Sequence, residues 1–300
     1  MKFSINFKLI FKNAHIKYVV LSVLFIIVAL PVRATELESI IRELMSSPVK
    51  TYGPNCWNSA LNVVGANVSV RSTTKPEFWF WMKSPFCKKL GPDDKLKKGD
   101  VGSLFWKNLG NYHSFINLNE KYVFSKDSPG LDDKYEIKRY EEMFHETKRR
   151  YAQRCRGTEY YLKKINCELE IVYHRCEALP LEFMLGNELL SQLLTDISGY
   201  EDTIEKYVRT NDHQMIPLIS SAFEKLGLRL VDLLNVKYTG NEEFMRKAIT
   251  HRIVGNLLVN WGNIEGLSVK ALNAVEVAEL TLLEGRKHVP RKASDLNLSR

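Results

Sequence analysis

Apolar residues recur at every second position between Gly99 and Lys126, and at helical spacing from about Leu179 onward. This change of period is the strongest constraint on what the chain can fold into, because one element cannot satisfy both. The stretches "DVGSLFW" (100–106), "HSFINL" (113–118) and "YVFSKD" (122–127) read as strands, and "CELEIVYH" from Cys167 reads as another. Only Asn119 to Lys121 separate the second strand from the third, which predicts a hairpin. Farther on, "LLSQLLTDI", "LISSAFEKLGLRLVDLL" and "ITHRIVGNLLVNW" are broken by Gly, Asn and Pro and predict a bundle of four or five helices over 179–300. After Gly130 the chain turns charged and helical, with Tyr140, Phe144 and Tyr151 on one face. The segment 131–178 then reads as a connector, and the expected class is α+β: a small antiparallel sheet followed by an all-helical region.

Residues 1–34 read as an export signal and not as fold. Four lysines precede an uncharged run from Tyr18 to Leu30, and Val32 and Ala34 stand three and one residues before a cleavage point. The run is short for a transmembrane helix of roughly 20 residues, so membrane attachment is expected only through an uncleaved signal. The expected location is exported, periplasmic or extracellular. Removing the signal takes away Lys2, Lys8, Lys12, Lys17 and Arg33 and no acid. The formal charge falls from +8 to +3, with 38 basic against 35 acidic residues. That balance excludes the nucleic-acid binders, which carry strongly basic faces. Directly after the signal, Thr35 and Glu38 form a capping-box pattern ahead of "LESIIRELM", and this predicts a short helix.

The stretch "TYGPNCWNSAL" (51–61) is where chemistry concentrates. Asparagine caps helices well, so Asn55 predicts a helix start, with Trp57, Leu61 and Val64 on its apolar face and Gly65 as its stop. Cys56 then lies in the first turn, where unpaired backbone N–H groups and the helix dipole favour thiolate over thiol. The same N–H groups suit an oxyanion formed when sulfur attacks a carbonyl. His113, at the start of a later strand, is a candidate base, and a base needs a third group to orient its ring. If 119–121 form a three-residue turn, Leu118 pairs with Tyr122 and His113 lies opposite Asp127, with Ser125 diagonal on the same face. A two-residue turn sets Lys126 opposite His113 instead. His145 and His174 are competing bases, each read as a solvated histidine among charges.

A helix-starting cysteine, then "LKKGDVGSLF" (96–105), then "HSFINLNEKYVFSKDSPG" (113–130), resembles the NlpC-type branch of papain-like cell-wall peptidases over roughly residues 50–130. The resemblance implies a papain-like domain over 35–130, with Cys56 as nucleophile and His113 as its base. The family's third polar residue falls on Ser125, and Asp127 is an alternative orienting carboxylate. Tyr52 resembles a family tyrosine near the oxyanion site, and Asn55 and Trp57 flank the nucleophile as candidate oxyanion or substrate contacts. The family usually carries Asp-Cys-Ser-Gly where this chain has Asn55, Cys56, Trp57 and Asn58.

Export favours disulfides, and five cysteines leave one without an internal partner. With Cys56 as nucleophile, Cys87, Cys155, Cys167 and Cys176 are the disulfide candidates, in any of three connectivities. None has zinc-site spacing, so neither metal nor cofactor is expected. The resulting expectation is an exported cysteine hydrolase that cleaves an amide, in a peptidoglycan peptide or another peptide substrate. The alternative is a catalytically silent papain-like module binding cell wall or a protein partner. The helical region is a candidate docking element for such a partner.

Overall fold

The structure, a computed structural model, describes residues 37–46, 54–66, 71–106, 110–128, 130, 133–156, 169–177, 187–261 and 264–283. Residues 1–34, read above as an export signal, and Thr35 and Tyr52 lie outside these residues. Residues 37–46 form helix α1 in a unit of its own, with Ile41 and Leu44 buried. From residue 47 the chain makes a second unit of mixed class, α+β. It contains α2 (Cys56–Val63), α3 (Lys75–Met82), β1 (Cys87–Lys89), β2 (Val101–Trp106), β3 (Gly110–Asn117), β4 (Tyr122–Lys126), β5 (Tyr135–Arg139), α4 (Tyr140–Arg156) and β6 (Leu169–Cys176). The helices α5 (Glu188–Thr210), α6 (Ile216–Asn235), α7 (Gly240–Asn260) and α8 (Val269–Leu283) follow.

The six strands form one antiparallel sheet in the order β1-β6-β2-β3-β4-β5. This corrects the reading of 131–178 as a connector. Strand β6 inserts between β1 and β2, and β5 extends the β3–β4 hairpin, so the segment completes the sheet. The pairing is long-range, which is why local periodicity shows the strand but not its neighbours. Cys87 and Cys176 face each other in the β1–β6 register and form a disulfide. Pairing of Cys155 and Cys167 falls outside the described residues.

The Gly-Asp pair ahead of β2 has a structural account. Gly99 sits at φ 93°, where a side chain would be strained. Its N–H donates to Asn117 O at 2.8 Å, and Asn117 N–H donates to Asp100 O at 2.8 Å, so the turn is stitched to the end of β3. The Asp100 carboxylate accepts from Lys97 N at 2.7 Å and takes a two-pronged contact from Arg175 of β6, 2.8 Å at each oxygen. One acid therefore fixes both ends of the β2 entry.

Helices cover both faces of the sheet. Leu104, Phe115 and Val123 pack with Met143, Tyr140 and Phe144 of α4 on one side. On the other, Trp79 of α3 meets Phe105 at 5.6 Å and His174 at 6.0 Å. The helical region closes around Ile197, Phe223, Leu230, Ile253, Leu257 and Ala278. Its breaks follow the sequence: Asn187 caps α5 through Leu190 N, Asn211 ends it at φ 51°, and Pro217 opens α6. The aromatic run on α3 joins the two regions, with Phe80 against Phe244 (5.1 Å) and His251 (4.7 Å) of α7.

His174 is 4% exposed, so it is a buried sheet residue and not the solvated histidine expected. Burial, aided by Lys89 across the ladder, pushes its imidazole down to about 4 from 6.5. Between those values the unfolded chain binds a proton that the folded chain refuses, so stability is full above pH 6.5 and declines as pH falls toward 4. The loss at the acid end amounts to about 3 kcal/mol. Urea unfolding at pH 7.0 and 4.5 should show this decline in the wild type and a smaller one in His174→Gln. An equal decline in both would remove His174 as the cause.

Candidate functional site

Asn55 caps α2 as the sequence predicts, with its side-chain oxygen accepting from Asn58 N at 3.0 Å. Its amide nitrogen donates to Ser72 Oγ (3.1 Å) and Thr73 O (2.9 Å). Asn58 Nδ2 reaches Thr73 Oγ1 at 3.2 Å. Both asparagines thus tie the first turn of α2 to the extended segment 71–74. The Asn55 side-chain amide is thereby engaged with Ser72, Thr73 and Asn58.

The register of the hairpin follows the three-residue turn. Ile116 pairs with Phe124, Asn117 with Val123, and Leu118 N–H donates to Tyr122 O at 3.0 Å. Continued along β3 and β4, this register sets His113 level with Asp127. The paired ladder stops at Ile116, however, while Asn117 directs both its backbone groups to β2. Alternation then turns the N–H of Ser114 toward β4, where a regular ladder would offer it Lys126. Instead it donates to the sulfur of Cys56. The start of α2 is therefore wedged where β3 and β4 part, one residue from His113 in the chain.

Three backbone N–H groups, of Ser114, Trp57 and Cys56 itself, favour the thiolate, as a helix start should. Burial outweighs them. With Cys56 6% exposed and the Asp127 charge nearby, the thiol is pushed up to about 12. Helix position alone suggests an ionised sulfur; the closed surroundings make it a thiol at neutral pH. Among the cysteines whose side chains are described, Cys56, Cys87 and Cys176, it is the one outside the disulfide. His113 is 3% exposed and pairs in register with Leu104 of β2.

The two candidate orienting groups differ. Asp127 forms an ion pair with Lys138 Nζ at 2.5 Å, and Lys138 also faces Glu136 and Glu146 at 3.8 and 3.9 Å. Ser125 is fully buried, and its Oγ has no hydrogen-bond partner among the described residues. Trp57 stacks on Phe78 with ring centres 6.4 Å apart, and its Nε1 is a buried donor without an acceptor among those residues.

Sequence reasoning missed Lys126, which it weighed only as a rival neighbour of His113. The side chain is fully buried, and its Nζ donates to Ser128 O (2.5 Å) and Gly130 O (2.9 Å). Burial lowers its pKa, against the pull of Asp133, the Cys56 sulfur and Asp127. The signal in the sequence is its place two residues after Phe124, on the same face of the expected strand. Among the described residues no cluster of metal-ligand side chains occurs, and no helix is long and apolar enough to cross a membrane.

No protein-family model matches this chain, and neither a curated protein nor a solved structure shows significant similarity to it.

A thiol held near 12 has about a thousandth of the thiolate of an ordinary cysteine at neutral pH. Iodoacetamide labelling of the Cys56 peptide at pH 7.5, followed by mass spectrometry, should run at least ~100-fold slower in the folded protein than in urea. Comparable rates would mean that the sulfur is ionised at rest.

Proposed function

We propose that this protein is a cysteine hydrolase that cleaves an amide bond, with Cys56 as nucleophile and His113 as general base. The observation that carries the reading is the wedge itself: a sulfur at a helix start, ringed by three backbone N–H groups, bonded to the residue that follows the candidate base. The ordered motifs shared with papain-like peptidases of the NlpC type support the same assignment and give the papain-like fold as its setting. They also suggest the substrate, a peptide of the cell wall, in an exported protein.

Because the sulfur is protonated at rest, the base must act within the step. The Sγ–H proton passes to the imidazole of His113 as the Cys56 sulfur bonds to the substrate carbonyl carbon. The carbonyl electrons move onto oxygen, and the first-turn N–H groups of Cys56 and Trp57 are the donors available to it. Collapse breaks the C–N bond, and the imidazolium gives its proton to the departing amine. Water, deprotonated by His113, then attacks the thioester and restores the thiol. Asp127, held by Lys138, is the carboxylate assigned to stabilise the imidazolium.

A second reading has its own support. The sulfur is closed off, and Ser125, at the family's third position, makes no hydrogen bond among the described residues. These features suit a silent papain-like module that binds cell wall or a protein partner.

Replacing Cys56 with alanine separates the two. Hydrolysis of purified cell wall should fall by at least ~1000-fold while the melting temperature moves little, in line with loss of a nucleophile. Wall degradation that persists in Cys56→Ala ends the hydrolase reading. Unchanged co-sedimentation with cell wall, and no degradation even in the wild type, would favour the binding module.

A further inference from the structure

The segment 71–74 belongs to no strand, so side chains and not a ladder decide where it lies. On one side it holds Asn55 and Asn58 at the start of α2. On the other it ends in Arg71, whose side chain is 3% exposed. Arg71 forms a fork with Glu77 of α3, 2.6 and 3.0 Å, and donates to the backbone oxygen of Ser72 at 2.9 Å. Its Nε lies 3.8 Å from Glu201 of α5. Glu201 is in turn held by Arg252 Nε at 2.9 Å and Asn256 Nδ2 at 2.6 Å, both of α7. Burial would raise the Glu201 carboxyl, but these partners hold it below its ordinary range.

Two positive and two negative side chains are thus brought together from four segments. Replacing such a cluster by apolar packing is often neutral or stabilising, so stability alone is a weak account of it. What the cluster does supply is a fixed position for Arg71. Gly255 of α7 fits the same purpose, since a Cβ there would stand 2.7 Å from both Arg71 Nη1 and Glu77 Oε2.

We propose that the C-terminal helices position the nucleophile: Glu201 and Gly255 seat Arg71, Arg71 fixes the 71–74 strap, and the strap holds the first turn of α2 around Cys56. The inference rests on reading Cys56 as the nucleophile. Arg71, Glu201 and Gly255 are positioning residues, acting through Asn55 and Asn58 on the N–H groups that meet the sulfur. Loosening the strap admits water to the first turn. That relieves the burial which keeps the sulfur protonated, and it scatters the donors that would receive an oxyanion. Reactivity toward a small alkylating agent and hydrolysis should therefore move in opposite directions.

The test uses the full chain. The rate of Cys56 alkylation by iodoacetamide is measured between pH 6 and 10 in the wild type, Glu201→Gln, Gly255→Ala and Leu230→Ala. Leu230 lies in the core of the helical region and serves as a control for general destabilisation. Glu201→Gln and Gly255→Ala should raise the neutral-pH rate about tenfold or more and shift the profile to lower pH by a unit or more. Leu230→Ala should lower the melting temperature and keep the wild-type profile. Cell-wall hydrolysis should drop in the first two variants only. If either charged-cluster variant does not fold, Thr73→Val, which removes the oxygen bonded by Asn58 and leaves the charges intact, decides by the same readout. Wild-type profiles in the folded strap variants, or an equal shift in Leu230→Ala, overturn the positioning role. A wild type that hydrolyses nothing removes the hydrolase reading and leaves the alkylation result to judge the strap.

Discussion

A hydrogen bond from the Ser114 backbone to the Cys56 sulfur ties β3 to the start of α2. A backbone donor at that position would ordinarily be spent on the next strand. Here the paired residues of β3 and β4 end at Ile116 and Phe124, and the sulfur at the start of α2 accepts the donor instead. Asn55 is the residue that holds this helix start, because one side chain caps the helix and pins it to 71–74.

The chemistry at the wedge is decided by magnitude. Three N–H donors pull the thiol down, but removing the sulfur from water pushes it further up, and the balance lies near 12. Lys126, buried beside it, is subject to the same opposition. Closed surroundings of this kind keep the sulfur as a thiol until a base takes its proton. Under the proposed hydrolase reading, that places the burden of activation on His113 rather than on the helix dipole.

Local signals in the sequence were legible and non-local ones were not. The Asn55 cap and the hairpin across Asn119 to Lys121 depend on neighbouring residues, and each is found as read, with the structure deciding for the three-residue turn between the two registers left open. The place of β6 beside β2 depends on pairing across some seventy residues, and no periodicity encodes it. The cluster of Arg71, Glu77, Glu201 and Arg252 escaped for the same reason, since each charge alone resembles a solvated one. Burial of Cys56 and His174 was equally hidden, because composition says which residues are apolar but not which polar ones go inside.

The sheet order carries a consequence for synthesis. Strand β2 lies between β3 and β6, yet β6 is the last strand to be made. A chain emerging N-terminus first holds β2 through β5 with one raw edge exposed until residue 176 arrives to cover it and Cys87 gains its partner. A fragment ending near 130 would keep that adhesive border permanently, so the segment from Cys56 to Asp127 cannot be excised as a minimal module without inviting aggregation.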